Sequence, residues 1–141
     1  MTRTVWKACL CLALISGIGT LVAQAKSPLK SVPTGSWGGE HIRLTVTDVG
    51  ATVEYDCAFG TIDEPLWLDK NGNFEVRGTH VIERGGPLQI GEPPPKRHPA
   101  MYCGWTDGSH MRLTVTLLDT KEDVGTFLLG LGRQPQLEKC L

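Results

Sequence analysis

The sequence predicts an all-β protein, an antiparallel up-and-down meander of eight strands that closes into a small barrel. Apolar and polar residues alternate in several short segments, which is the period of a half-buried strand. Turn-forming residues separate these segments, and no helix of useful length is indicated. One strand pattern occurs twice, because Gly39–Thr47 returns as Gly108–Thr116. This echo within 141 residues indicates a repetitive antiparallel sheet.

Residues 1–25 have the pattern of a secretory signal peptide. Arg3 and Lys7 give a basic start, an apolar segment follows, and Ala23-Gln24-Ala25 matches a small-x-small cleavage site. Serine, threonine and glycine residues interrupt the apolar segment, so it falls short of the roughly 20 apolar residues that span a bilayer. We therefore expect a periplasmic or extracellular protein, cleaved near Ala25 and without a stable membrane anchor.

The remaining residues are sufficient for one domain. Residues 26–34 are polar, contain prolines and lack periodicity, so we expect a flexible leader. Residues 35–141 show no break in composition and predict a single β-barrel domain. The whole chain has 14 Lys+Arg against 15 Asp+Glu. Without a basic excess, neither nucleic acid nor an anionic membrane surface is expected as a partner.

The first predicted strand begins at Trp37 and has apolar residues at every second position from Ile42. Trp37 lies out of this phase, so we expect a β-bulge at Gly38-Gly39 to return it to the apolar face. A turn at Val49-Gly50 then leads into a second strand. One register puts all apolar residues of both strands on one face: Ile42 opposite Cys57, Leu44 opposite Tyr55, and Val46 opposite Val53.

Lys70-Asn71-Gly72 predicts the three-residue loop of another hairpin, with Gly72 in the left-handed region. The strand before this loop places Trp67 on the outer face, opposite Glu75. The strand after it has an inward face that continues as far as His80.

A proline-rich segment, Gly85–Pro99, follows this hairpin. It has five prolines and three glycines, which exclude a helix or a central strand. We expect a surface excursion, longer than most connections. It ends on Lys96, Arg97 and His98, a local positive patch. Polyproline-like geometry presents side chains at little entropic cost, so the segment is either an interaction loop or a rigid connection.

The sheet resumes at Tyr102. Asp107-Gly108 predicts a tight hairpin, with Tyr102 inward opposite Leu113 and Trp105 outward. A further strand covers about residues 124–131. We expect residues 136–141 to form a short last strand, because an eighth strand runs antiparallel to the first and closes the barrel.

Three cysteines follow the signal peptide, which indicates one disulfide and one spare thiol in an oxidising compartment. Barrel closure brings Cys140 to the end of the sheet where Cys57 lies. We therefore predict a Cys57–Cys140 disulfide and an unpaired Cys103. The spacing of these cysteines fits no zinc motif.

Gly35-Ser36-Trp37 resembles the opening of the calycin barrels, the lipocalins and avidins among them. The resemblance implies an antiparallel barrel in which a basic residue after the last long strand packs over the tryptophan ring. Arg133, after Gly130-Leu131-Gly132, matches that residue. Gly39 stands where the avidins have an asparagine ligand, so no biotin contact is carried over.

The sequence shows no catalytic or metal-binding pattern, and no cofactor is expected. His41 and His110 occupy equivalent outward strand positions, where solvated histidines are more common than a metal pair. Residues 69–73 lack the glycine position and the closing glutamate of a calcium loop. Cys103 is expected to be an inert strand cysteine.

Two functions remain open. The first is a non-enzymatic barrel that binds a small apolar or mixed ligand in its interior or mouth, through Trp37, Tyr55, His80 and Tyr102. The alternative is a protein-interaction module, for example an inhibitor of a secreted or envelope enzyme. It would act through residues 85–99 and the outward tryptophans, with the candidates Trp67, Trp105, Lys96, Arg97 and His98. A cavity around Tyr55 and His80 would favour the first function, and a packed core with exposed tryptophans the second.

Overall fold

The computed structural model describes residues 29–140. They form eight antiparallel strands that follow each other in sequence order and close into a barrel. The predicted fold class is therefore confirmed. The strands are β1 (Gly35–Gly39), β2 (Ile42–Val46), β3 (Ala51–Tyr55), β4 (Ala58–Ile62), β5 (Asn73–Ile82), β6 (Arg97–Thr106), β7 (His110–Leu117) and β8 (Asp123–Leu131).

The predicted signal peptide, residues 1–25, lies outside the described residues, as do residues 26–28 of the predicted leader and Leu141. Within residues 29–140 there is no helix long and apolar enough to cross a membrane.

The first predicted strand is in fact a hairpin. β1 and β2 pair with each other, so that Trp37 lies opposite Leu44 and Gly39 opposite Ile42. The connection is a two-residue turn at Glu40-His41, where His41 has a φ of 64°. The β-bulge predicted at Gly38-Gly39 is therefore wrong. Reversal of the chain returns Trp37 to the core, where it is fully buried.

The last predicted strand is also wrong, because the first hairpin already supplies the eighth strand. β8 pairs directly with β1, with Trp37 opposite Leu131. The chain then turns back, and the Gln136 N–H donates to the Gly39 carbonyl at 3.0 Å. Residues 133–140 run along the outside of β1, and we call them the strap. The predicted Cys57–Cys140 disulfide is confirmed at the end of the strap, with a Cα–Cα distance of 5.3 Å.

Gly38 lets the strap approach the barrel. A Cβ atom at this position would overlap the backbone carbonyl of Arg133. The Arg133 side chain itself is exposed, and within the described residues no cation–π contact joins it to Trp37. The Trp37 indole N–H donates to the Pro33 carbonyl at 3.0 Å instead. Arg133 thus contributes to this side of the barrel through its backbone, which differs from the expectation based on the calycin barrels.

Two hairpins pair two residues away from the predicted register but keep the predicted faces. Leu44 lies opposite Val53, and Tyr102 lies opposite Val115. Side-chain direction in a strand has a period of two, so a shift of two residues leaves the inward set unchanged. The inward residues of these strands are buried accordingly.

β4 was not predicted, and the predicted strand around Trp67 lies outside the sheet. The segment between β4 and β5 instead closes one end of the barrel with its buried Leu66. The Val32 N–H donates to the Leu66 carbonyl at 2.9 Å, and Val32 is also buried. Within the described part of the predicted leader, residues 29–34, Val32 therefore packs against the barrel end.

The proline-rich connection is shorter than predicted. β6 begins at Arg97, so the connection spans residues 83–96 and His98 and Pro99 are strand residues. Pro99 lies beyond the end of the β6–β7 ladder, where no backbone donor is needed from it. Its carbonyl accepts a hydrogen bond from the Leu118 N–H at 2.8 Å.

Replacing Gly38 with alanine is expected to lower the free energy of unfolding by about 1–3 kcal/mol, the usual cost of overpacking. The added Cβ must displace the Arg133 backbone and with it the strap. Urea denaturation with the disulfide intact measures the change.

Gly130→Ala is the matched control for this substitution. Gly130 lies directly opposite Gly38 in the sheet, and a Cβ there would make an ordinary contact of 3.4 Å with the Arg133 side chain. Equal destabilisation by the two variants would contradict the packing of the strap against Gly38.

Candidate functional site

Three of the four predicted ligand-binding residues come together inside the barrel. Tyr55 on β3 and His80 on β5 meet edge to face, with ring centroids 5.0 Å apart. Phe127 on β8 packs on Tyr55 at 5.6 Å. Tyr102 on β6 lies across Gly60 and Gly78, where a Cβ atom would overlap its ring or hydroxyl. We call Tyr55, His80, Tyr102 and Phe127 the interior cluster.

Trp37, the fourth predicted residue, belongs to the core without joining this cluster. It is fully buried, and its indole N–H is satisfied by Pro33. Within residues 29–140 no ring–ring contact connects it to the cluster. Phe127 was missed by the sequence analysis, although it alternates in phase with the buried Leu129.

Two polar atoms of the interior cluster are buried without a hydrogen-bond partner. They are the Tyr55 hydroxyl oxygen and His80 Nδ1. Tyr55 is 7% exposed and His80 is 4% exposed. The Tyr102 hydroxyl, by contrast, donates to the Thr79 carbonyl at 2.7 Å. An unsatisfied buried polar atom costs about 1–3 kcal/mol. Such atoms in native proteins often bind water or a ligand.

The interior cluster is neutral at physiological pH. Burial raises the pKa of Tyr55 far above its ordinary range, and the neighbouring Tyr102 raises it further. Burial raises the pKa of Tyr102 to about 12. The pKa of His80 is lowered, mainly by burial and also by the charge of His98. The cluster can therefore donate and accept hydrogen bonds without carrying a charge.

The outer surface carries a second candidate site, between the segment 64–69 and the first half of β5. It consists of two adjoining depressions of about 610 Å³ and about 190 Å³. Both are lined by Trp67 and Glu75, and Trp67 is 64% exposed. We call the two depressions together the tryptophan groove. Their other lining residues are Glu64, Pro65, Leu68, Asp69, Asn73, Phe74, Val76, Cys103 and Gly104.

Trp105 extends this surface beyond the groove. It lies opposite Asn73 on one side and Arg112 on the other, and it is 43% exposed. Its indole N–H donates to the Asn71 carbonyl at 3.1 Å, which fixes the ring over the turn that precedes β5. Leu128, the cross-strand neighbour of Arg112, is also exposed. The outer face thus presents two tryptophans in fixed backbone positions, as the sequence predicted.

Cys103 lies at the floor of the groove and is partly buried. Burial raises the pKa of its thiol, and the carboxylate of Glu75 raises it further. The thiol is therefore protonated at neutral pH, which makes it a weak nucleophile.

The proline-rich connection lies at the opposite end of the barrel from the tryptophans. β5 begins beside Trp105 and ends at Ile82, where the connection starts. The connection encloses a depression of about 400 Å³ of its own. The predicted interaction surface, which combined this connection with the two tryptophans, is therefore divided between the two ends.

The positive patch predicted at Lys96, Arg97 and His98 is partly neutralised. His98 Nδ1 lies 2.8 Å from the Asp119 carboxylate, and Lys96 Nζ lies 3.6 Å from it. Only Arg97 of the three forms no ion pair within residues 29–140.

The remaining histidines also pair with aspartates near turns. His41 Nδ1 lies 2.6 Å from Asp56, and His110 Nδ1 lies 3.2 Å from Asp107. The backbone N–H groups of His110 and Ser109 lower the pKa of Asp107 to about 2, so its carboxylate stabilises a hairpin turn. Among residues 29–140 no group of three or more His, Cys, Asp or Glu side chains is arranged to hold a metal ion.

Comparison of the chain with protein-family models, with curated proteins and with solved structures gave no match. The interior cluster and the tryptophan groove are therefore interpreted from their own residues.

The free energy of unfolding is expected to fall as the pH drops below about 6.5, because of His80. In the unfolded chain this side chain gains a proton near its ordinary pKa of 6.5, whereas in the folded protein the lowered pKa keeps it neutral. One proton contributes a slope of at most about 1.4 kcal/mol per pH unit. His80→Gln removes this contribution, which urea denaturation between pH 5 and 7.5 would show.

His110→Gln is the control, because it removes an exposed histidine and leaves His80 in place. If His80→Gln and wild type had the same pH dependence, His80 would not be the buried neutral group described above.

Proposed function

We propose that this protein is an exported, non-enzymatic interaction module that binds a protein partner through its tryptophan groove. One observation carries the proposal: Trp67 and Trp105 are 64% and 43% exposed on a grooved outer face. Tryptophan is enriched among the residues that contribute most to protein–protein binding, and it gains most in a pocket that excludes water. Two exposed tryptophans beside a groove favour such a partner.

The barrel interior also supports this function. The inward side chains form a single hydrophobic cluster, and the Tyr102 ring occupies the space over Gly60 and Gly78. None of the depressions described for residues 29–140 is lined by Tyr55, His80 or Tyr102. These depressions lie on the outer surface, which is where the two exposed tryptophans offer a contact area for a partner.

Export is part of the proposal and has two supports. Residues 1–25 have the sequence pattern of a signal peptide. The Cys57–Cys140 disulfide is consistent with an oxidising compartment such as the periplasm or the extracellular space.

We assign the interaction site to the end of the barrel that carries Trp67 and Trp105. Lys96 and His98 already contact Asp119, and the proline-rich connection lies at the far end of β5 and β6. A single partner of ordinary interface size is therefore assigned to Trp67 and Trp105 rather than to both regions.

Replacing both Trp67 and Trp105 with alanine is expected to weaken partner binding by more than 100-fold. Each central tryptophan in an interface contributes about 2 kcal/mol or more, and tenfold in affinity corresponds to about 1.4 kcal/mol. The partner would be captured from the exported protein fraction of the source organism, purified, and titrated by calorimetry against each variant.

Ile90→Ala is the matched control, since it removes a fully exposed apolar side chain from the proline-rich connection. The double tryptophan variant binding as well as wild type would contradict the proposal. Loss of binding in Ile90→Ala alone would assign the interaction to the connection.

A second candidate function is favoured by the two unsatisfied atoms of the interior cluster. The Tyr55 hydroxyl can donate a hydrogen bond and His80 Nδ1 can accept one, so together they suit a small ligand with one acceptor and one donor. The closed eight-stranded barrel is compatible with the calycin-like architecture that Gly35 and Trp37 indicate, in which ligands occupy the barrel mouth. A small mixed ligand at the interior cluster is the proposal that follows.

Native mass spectrometry of the purified protein tests the second candidate. We expect an added mass of a few hundred daltons or less on wild type, and its loss in Tyr55→Phe, which removes only the hydroxyl. A wild-type mass equal to that of the oxidised chain alone would contradict ligand binding and leave the interaction module as the function.

A further inference from the structure

We propose that the partner contributes an extended, positively charged peptide segment that adds as a strand to the open edge of β5 at Glu75. This inference rests on the proposed function, because it specifies the partner of the same tryptophan groove. Its basis is the hydrogen bonding of β5, which differs between the two halves of the strand.

The barrel has an incomplete seam between β4 and β5. β4 pairs only with the second half of β5, from Thr79 to Ile82. The first half, from Asn73 to Gly78, has a ladder with β6 on one side but none on the other. The chain that could have continued β4 leaves the sheet there and forms the segment that carries Trp67.

Three residues of the first half direct their backbone groups into this seam. Alternate residues of an antiparallel strand point their N–H and C=O groups to opposite neighbours. The Asn73 N–H donates to Asp69 Oδ1 at 2.9 Å, and the Arg77 N–H donates to Glu64 Oε1 at 3.2 Å. Glu75 lies midway between them and therefore points the same way.

The Glu75 backbone differs from its two neighbours in having no partner. Within residues 29–140 no hydrogen bond outside the ladders reaches the Glu75 N–H or C=O, and β4 does not extend to it. Side-chain carboxylates thus accept the N–H groups of Asn73 and Arg77 in place of a neighbouring strand. The N–H and C=O groups of Glu75, between them, remain without a partner. An extended peptide can pair with both groups at once, as in strand addition to a sheet edge.

The groove has space for such a segment next to Glu75. Both depressions, of about 610 Å³ and about 190 Å³, are lined by Trp67 and Glu75 together. Glu75 and the exposed indole of Trp67 therefore border the same space. Side chains of an added strand alternate between two faces, so those of one face lie on the same side of the strand as Trp67.

The negative charge of the groove favours a positively charged peptide. Glu64, Asp69 and Glu75 line it, and neither depression is lined by a lysine or an arginine. Hydrogen bonds from the Asn71 and Asn73 backbone keep Asp69 in its charged form by lowering its pKa. A segment that combines lysine or arginine with apolar side chains fits this surface, and an acidic segment is repelled.

A second copy of this chain is a poor occupant of the same edge. Antiparallel pairing of two β5 edges about Glu75 would place the two carboxylates directly opposite each other, which destabilises a strand pair. The edge is therefore assigned to a different partner.

The test is a selection from a display library of random linear 12-residue peptides, which are bound to the immobilised mature protein. We expect the selected peptides to alternate basic with apolar residues and to lose binding to Trp67→Ala. Synthetic peptides with single N-methylated amides then test the pairing. Methylation is expected to weaken binding roughly two- to tenfold at the one amide that donates to the Glu75 carbonyl and not at the positions beside it, since it removes one backbone hydrogen bond.

Two variants of Glu75 separate the backbone from the charge. Glu75→Pro removes the open N–H and leaves the β5–β6 ladder, which uses the N–H groups of the neighbouring residues. It is expected to weaken peptide binding roughly tenfold, whereas Glu75→Gln keeps the N–H and should reduce only the preference for basic peptides. Thermal unfolding of both variants checks that the barrel is retained, and the methylation series remains decisive if Glu75→Pro unfolds.

The outcomes distinguish this inference from the proposed function. Peptides that depend on Trp67 but tolerate methylation at every position would overturn strand addition while the groove remains an interaction site. Selection of acidic peptides, or of none that depends on Trp67, would overturn the inference, and the double tryptophan variant would then decide the proposed function independently.

Discussion

Closure of the barrel depends on the two-residue turn at Glu40-His41. This turn divides one apolar stretch into two strands and so makes the number of strands even. An even number allows β8 to meet β1 in antiparallel order, which removes both sheet edges at that point. The C-terminal residues are then available as the strap, which crosses Gly38 and carries Cys140 to Cys57. The position of the disulfide and the burial of Trp37 both follow from that one reversal.

The sequence predicts the faces of the strands better than it predicts their ends. Alternation gave the barrel class and the inward set, and a register error of two residues did not disturb either. The turn at Glu40-His41 was missed because it contains no glycine, and a left-handed histidine has no sequence signal of its own. β4 was missed because the strand before it was extended through Cys57, which in fact lies in the connection.

For the candidate sites, too, the sequence predicts which face a side chain lies on better than its position along the barrel. Tyr55, His80 and Tyr102 meet because all three belong to the inward set, and Trp67 and Trp105 are exposed because they do not. The tryptophans adjoin the start of β5, whereas the proline-rich connection adjoins its end. The sequence did not indicate this separation, because it assigned to the connection three residues that belong to β6. The open backbone of Glu75 results from the short β4, so alternation alone gave no indication of it.

The disulfide and the groove lie at opposite ends of the molecule, so a substitution in the groove lies far from the disulfide. Cys57 and Cys140 join the strap to the turn between β3 and β4, while Trp67 belongs to the segment at the other end. In that segment Leu66 is fixed by the core, whereas Glu64 and Trp67 are exposed. Substitutions of Trp67 are therefore expected to change the surface of the groove without affecting closure. Closure of the barrel and the shape of the groove thus depend on separate sets of residues.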